Sequence, residues 1–162
     1  MDPMKLLGNV PWITNEGYFE PAQFPIDGVL RQALSEDDRE FRSGLTMLSS
    51  MYGHGRPEAG VFLVGVLVKC DDHWEKRIKI VEAMAAIDTK PCADLLFGEL
   101  KRVKSSNTTR RYLGAVINAL SFMPSELIEE GFETLAEDRS FSPKMREKFR
   151  AVLDQRVFDD DW

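Results

Sequence analysis

The sequence predicts an all-α fold of stacked helical pairs, and three observations support that prediction. Equivalent positions recur with a period of 36 residues, counted between Phe41, Arg77, Leu113 and Phe149. Within each copy the apolar residues fall at i, i+4 and i+7, which is one face of an α-helix. One such unit cannot bury its own apolar face, so recurrence at this spacing is typical of an array in which neighbouring units cover one another.

Four columns of the repeat keep a small or apolar residue in every copy that contains them. The columns are Gly44, Ile80, Val116 and Val152; Leu45, Val81, Ile117 and Leu153; Leu48, Met84 and Leu120; and Met51, Ile87 and Met123. We expect these residues to be buried, and we expect Leu48, Met84 and Leu120 to occupy equivalent positions in the core.

Capping and turn residues place the first helical pair. Ser35 and Asp38 resemble a capping box ahead of a helix over 37–51. The segment 52–57 holds two glycines and a proline, so it is expected to be the turn that leads into a helix over 58–69.

The later copies repeat the order of helix, turn and helix. Asp71 and Asp72 are candidate N-caps for the next helix, and Ser142 before Pro143 predicts the start of the last one. Proline also begins the second helix of each copy, where the first-turn N–H has no intrahelical acceptor in any case. The later predicted helices cover 73–87, 91–103, 109–123, 124–137 and 143–156.

A single domain over 1–162 is expected, because 162 residues give room for one genuine core. Residues 1–34 combine prolines with aromatic residues and end in a short predicted helix near 25–34. They are predicted to form an irregular segment that caps the first repeat. Residues 35–156 are predicted to be helical repeats. Residues 157–162 form an acidic-aromatic tail, which either docks in a basic, apolar groove of a partner or stays solvated.

Composition and cysteine use indicate a cytoplasmic protein. Hydrophobic residues at 43% and charged residues at 30% are typical of a globular chain. The longest apolar stretch, 59–68, is about half as long as a bilayer crossing requires, and the first residues lack the pattern of a secretion signal. Cys70 and Cys92 stand outside any metal-ligand spacing, which favours free thiols in a reducing compartment.

No cofactor or metal is predicted. His54 and His73 are the only histidines, and neither lies in the spacing of a nucleophile or a metal site. Motifs for a nucleophile elbow, a zinc protease or a phosphate loop do not occur in the sequence. The net charge of −6 disfavours binding to nucleic acid, which needs a basic surface, and is compatible with a basic protein partner.

The second copy of the repeat carries a residue pattern that is similar to a known family. The pattern is Asp72, then Arg77, then Ala83-Met84, then Ile87 before a turn. It resembles the Asp, Val-Arg, Ala-Leu and Ile spacing of the HEAT-repeat family of α-solenoids, in its short bacterial-type form. The third copy keeps Ala119-Leu120 and Met123 but has Leu113 at the Arg position, and the first keeps Met47-Leu48 and Met51 but has Phe41 there.

The resemblance covers residues 41–153 and implies an α-solenoid of about three and a half HEAT-like helix-turn-helix repeats, stacked with a right-handed turn. HEAT-like arrays serve as scaffolds, inhibitors and enzyme subunits. The resemblance therefore bears on the fold far more than on the function.

The segment Lys101–Arg111, which we call the basic link, is the strongest candidate for a binding site. Its candidate binding residues are Arg102, Lys104, Arg110 and Arg111. Arginines beside a helix N-terminus can hold a phosphate, a carboxylate or an acidic protein surface. The structural alternative is that these bases complement the C-terminus of one helix and pair with acids of neighbouring helices.

The sequence favours a non-catalytic, cytoplasmic module that presents a helical-repeat surface to another protein. Two alternatives stay open. One is a stoichiometric inhibitor, such as an immunity protein against a basic toxin nuclease. The other is an enzyme or enzyme-maturation factor that binds a small anionic ligand at Arg110 and Arg111. Neither a nucleic acid nor a membrane is expected as a partner.

Overall fold

The computed structural model describes Glu16, Tyr18 and residues 25–160, with side chains described as far as Gln155. Over these residues the regular structure comprises eight α-helices and no strand, which confirms the prediction of an all-α fold. The helices are α1 (Ile26–Ala33), α2 (Asp38–Gly53), α3 (Pro57–Lys69), α4 (Trp74–Ala83), α5 (Lys90–Arg102), α6 (Arg110–Ser121), α7 (Ser125–Glu137) and α8 (Pro143–Asp160).

The chain divides into two compact units, Met1–Asp72 and His73–Trp162. In the first unit α1, α2 and α3 pack against one another. In the second unit α4 packs on α6, α5 packs on both α6 and α7, and α7 packs on α8. The expected single domain over 1–162 stays a prediction.

The repeat columns lie in the core of each unit. Leu48, Met84 and Leu120 have no exposed surface, which confirms their expected burial. All four residues of the Gly44 column are buried, while Ile117 and Leu153 in the next column are only half-buried. Arg77 occupies the same column as Phe41, Leu113 and Phe149, and it is buried as they are.

Helix ends differ from the prediction where a neighbouring residue makes the capping bond. Asp37 caps α2, since its Oδ1 accepts from the Glu40 N–H at 3.0 Å, whereas Ser35 donates its hydroxyl to the Glu40 carboxylate. His73 caps α4 through Nδ1, which accepts from the Lys76 N–H at 3.3 Å, so neither Asp71 nor Asp72 is the N-cap.

Two helices differ from their predicted lengths by four residues at the C-terminal end. Helix α4 ends at Ala83 instead of residue 87, because the chain turns there and the Ile87 N–H donates to the Met84 carbonyl. Helix α8 continues to Asp160 instead of ending at 156. The predicted capping segment lies largely outside the described residues, apart from the confirmed short helix α1. The side chains of the predicted tail also lie outside them.

At Gly44 helix α2 closely approaches the backbone of α1. A Cβ built on Gly44 would lie 2.7 Å from the Cα of Ala33 and 2.8 Å from the carbonyl carbon of Gln32. Both are backbone atoms, so a rotamer change cannot make room and α1 itself would have to shift.

Replacing Gly44 with alanine is expected to lower the unfolding free energy by about 1–3 kcal/mol, because overpacking outweighs the better helix propensity of alanine. Gly114→Ala is the matched control, since a Cβ there meets open space. That control is expected to raise the unfolding free energy by about 0.5–1 kcal/mol. Urea denaturation measures both, and equal stabilisation by the two changes would contradict the close approach of α1.

Candidate functional site

The basic link lies between α5 and α6 of the second unit. Arg102 is the last residue of α5, Lys104 lies in the loop, and Arg110 and Arg111 form the first turn of α6. All four residues are exposed. The structure therefore places the predicted site residues on the surface at one end of α6.

Hydroxyl groups hold the loop of the basic link in shape. Thr109 is buried, and its hydroxyl donates to the Lys104 carbonyl at 2.6 Å while accepting from the Ser106 N–H at 2.9 Å. The Ser106 hydroxyl lies 3.0 Å from the same Thr109 oxygen. Thr109 therefore connects the loop to the start of α6. The hydroxyl groups of this segment stabilise the shape of the loop.

Three of the four candidate bases contact polar groups of the same chain. Arg110 Nη2 donates to Asn107 Oδ1 at 2.7 Å. Arg111 Nη1 lies 3.6 Å from Glu75 Oε1, and both side chains are exposed, so this pair contributes little to stability. Arg102 Nε donates to Glu99 Oε2 at 2.7 Å. Of these contacts, only that between Arg111 and Glu75 pairs a base with an acid of a neighbouring helix, as the structural alternative requires.

Behind Arg102 lies a buried ion pair that the sequence analysis missed. Arg77 of α4 and Glu99 of α5 are each only 4% exposed, and Arg77 Nη2 donates to Glu99 Oε1. The Arg77 guanidinium also lies over the ring of Tyr112, with 5.4 Å from Cζ to the ring centroid. Trp74 covers the same ring at a centroid distance of 5.3 Å. This cluster joins three helices inside the unit.

The exposed groove in the second unit lies at the far end of α6 from Arg110 and Arg111. It has a volume of about 870 Å³. The lining residues are Ala85, Ala86, Ile87, Asp88, Ser121, Phe122, Met123, Pro124, Ser125, Val152 and Gln155. Phe122 is 68% exposed. Apart from Asp88, none of the described residues that line the groove is ionisable.

Three helix ends and one carboxylate give this groove its electrostatic character. Helices α4 and α6 end at its rim, with Met84 and Phe122 as their C-caps, and α7 begins there, with Pro124 as its N-cap. Helix C-termini carry negative partial charge, the N-terminus of α7 carries positive partial charge, and Asp88 adds a full negative charge.

One feature of the sequence indicates this site. Phe122 is a large apolar residue that lies between the repeat columns of Leu120 and Met123. The helix face that buries Leu120 and Met123 therefore does not bury Phe122.

A second cavity of about 420 Å³ lies between α5 and α7. Lys90 and Asp94 pair with each other along its edge at 3.1 Å. Phe97 forms part of its wall and contacts α7 where Gly131 leaves room, since a Cβ on Gly131 would lie within 2.8 Å of three atoms of the Phe97 ring. Its lining mixes acids and bases and does not favour a ligand of either charge.

Histidine and cysteine side chains have structural surroundings. His54 Nδ1 donates to the Ser50 carbonyl at 2.7 Å, and His73 caps α4. Cys70 and Cys92 are free thiols, and burial raises the pKa of Cys92 to about 12. Among the residues described by the structure, no group of three His, Cys, Asp or Glu side chains is arranged to hold a metal ion.

The buried Cys92 thiol gives the unfolding free energy a pH dependence. The unfolded chain loses this proton near the ordinary pKa of 9.0, whereas the folded chain keeps it until about pH 12. Unfolding is therefore favoured as the pH rises above 9, and Cys92 is expected to cost about 3 kcal/mol of stability by pH 11. Urea denaturation at pH 8 and pH 11 should show a smaller loss for Cys92→Ala than for Cys70→Ala. Equal losses would contradict the raised pKa.

In the described part of the chain, no helix is both long enough and apolar enough to cross a membrane. A scan of protein-family models finds no match to this chain, and searches among curated proteins and solved structures find none either.

Proposed function

We propose that this protein is a non-catalytic, cytoplasmic protein-binding module, and that the groove at the ends of α4 and α6 is its binding surface. The observation that carries the proposal is the 68% exposure of Phe122 in a groove of about 870 Å³. Large aromatic side chains are enriched where proteins bind one another, because they bury much apolar surface when a partner covers them. The free Cys70 and Cys92 support a reducing compartment.

The groove favours a partner segment that is both apolar and basic. Phe122, Ala86 and Pro124 supply an exposed apolar lining, whereas Asp88 supplies a full negative charge. The net charge of −6 attracts a basic partner at longer range and raises its rate of association. A short segment with one large apolar residue next to lysine or arginine satisfies both requirements.

The proposal includes a HEAT-like arrangement of the repeats. Within the second unit, α4 packs on α6 and α5 packs on α7, and these are the like-with-like contacts that a stack of helical pairs needs. The buried Arg77 supports the resemblance, since it occupies the Arg position of the family pattern. The count of three and a half repeats and the name α-solenoid rest on the 36-residue columns.

Selection from a display library of random peptides tests the proposed surface. The bait is the full chain, and counter-selection uses Phe122→Ser, which removes an exposed ring without touching the core. The matched control is the double variant Arg110→Ala and Arg111→Ala, which alters the basic link and leaves the groove intact. We expect selected peptides that carry an apolar residue beside lysine or arginine, bind the control normally, and bind Phe122→Ser at least about tenfold more weakly.

The opposite pattern would transfer the binding site to the basic link. Acidic peptides that bind Phe122→Ser normally and lose binding to the double arginine variant would contradict the groove. They would support an acidic partner or a small anionic ligand held by Arg102, Lys104, Arg110 and Arg111. Those four residues keep that candidate role because all are exposed.

A stoichiometric inhibitor of a basic toxin nuclease is the second candidate function. The net charge of −6 favours it, because an acidic surface complements the nucleic-acid-binding face of such an enzyme. An inhibitor of this class forms a one-to-one complex with a whole folded nuclease. A nuclease encoded beside this protein is expected to lose activity at equimolar protein, and unchanged nuclease activity would reject this candidate.

A further inference from the structure

Helix α3 of the first unit leaves an apolar face uncovered. Its buried side consists of Ala59, Gly60, Leu63, Val66 and Leu67. On the other side Val61 is 68% exposed and Val68 is 65% exposed, with the exposed Gly65 between them. The spacing of these three residues, four and then three, makes one stripe along the helix. A solvent-facing helix stripe is ordinarily polar, whereas this one exposes two valines and a glycine over two turns.

The ends of the same stripe carry opposite charges. Glu58 lies one turn before Val61, and the exposed Lys69 follows Val68. Between them α3 contains no charged residue. A stripe with an acid at its N-terminal end and a base at its C-terminal end is complementary to itself when two copies are placed antiparallel.

We propose that two copies of this chain associate through α3, related by a two-fold axis near Gly65. In that arrangement Val61 of each copy faces Val68 of the other, and the glycines meet at the centre, where the helices come closest. Lys69 of one copy lies two residues short of the position opposite Glu58 of the other. That offset is about 3 Å, which a lysine side chain spans.

The charges at the rim and the small size of the interface determine the affinity of this dimer. Glu58 also binds Arg56 of its own chain at 2.7 Å, so the partner's lysine joins an existing ion pair at the rim of the stripe. The stripe lies on one helix of 13 residues, about 20 Å long, which is small for a permanent interface. A dimer that forms in the micromolar range is therefore expected.

Analytical ultracentrifugation of the full chain across the micromolar range tests the proposal. The wild type is expected to shift from monomer to dimer, and the double variant Val61→Ser and Val68→Ser is expected to raise the dissociation constant at least about tenfold. Phe122→Ser, at an exposed apolar residue of the second unit, is the matched control and should still dimerise. Since Val61 and Val68 are exposed, their replacement leaves the core intact, which circular dichroism verifies.

Charge reversal gives an independent readout. Lys69→Glu is expected to weaken the dimer, and adding Glu58→Lys is expected to restore it, because the two changes exchange the signs across the axis. A wild type that stays monomeric at every concentration would overturn the proposal. So would a dimer that survives the valine changes, or one that Phe122→Ser abolishes.

Discussion

Glu99→Ala is expected to lower the unfolding free energy by about 3–5 kcal/mol. Glu99 is the buried partner of Arg77, and both residues are 4% exposed. Removing the carboxylate takes an acidic partner away from a buried charge, so more of the cost of desolvating Arg77 is left uncompensated, while its contact with the Tyr112 ring remains. Thermal and urea denaturation measure the loss.

Two further variants separate the buried charge from a general effect of losing an acid. Glu75→Ala removes the exposed acid that faces Arg111, and it is expected to cost less than about 1 kcal/mol. Replacing Arg77 and Glu99 together by leucine removes both buried charges, so it is expected to recover most of the stability that Glu99→Ala loses. A Glu99→Ala variant as stable as Glu75→Ala would contradict the buried pair.

Met84→Ala is expected to lower the unfolding free energy by about 2–5 kcal/mol, which is the cost of removing a large apolar side chain from a packed core. Met84 has no exposed surface and belongs to the same repeat column as Leu48 and Leu120. Alanine at either of those positions should cost a similar amount, because all three side chains are fully buried.

Phe122→Ala is the matched control, since that ring is 68% exposed and its loss leaves no cavity. It is expected to cost less than about 1 kcal/mol by urea denaturation. A loss below about 0.5 kcal/mol for Met84→Ala would mean that the repeat register is wrong, because surface positions behave that way.

The sequence was sufficient to predict where the helices lie and most of the apolar residues that they bury. The reason is that burial leaves a periodic trace, as in the column of Leu48, Met84 and Leu120. It was insufficient to locate helix ends. Met84 and Ile87 are buried whether residues 84–87 continue the helix or turn, so the apolar pattern of α4 is the same in both cases.

For the candidate sites, the sequence indicates clusters of neighbouring residues but not contacts between residues that are far apart in the chain. The basic link was visible as a local cluster, and its residues lie on the surface as such clusters usually do. Glu99 looked like an ordinary helix acid, because its partner Arg77 is 22 residues away and the two meet only because α4 and α5 both pack on α6. Phe122 is a large apolar residue that lies outside the repeat columns, and it lines the groove.

Hydrogen–deuterium exchange, with and without a saturating peptide from the display selection, tests the proposed binding surface most directly. The Phe122 N–H donates to the Ala119 carbonyl over a long 3.4 Å, so its exchange in the free protein should be easily slowed by a partner. The groove predicts slower exchange over 85–88 and 119–126 and unchanged exchange over 101–111. Protection confined to 101–111 would contradict it and assign binding to the basic link.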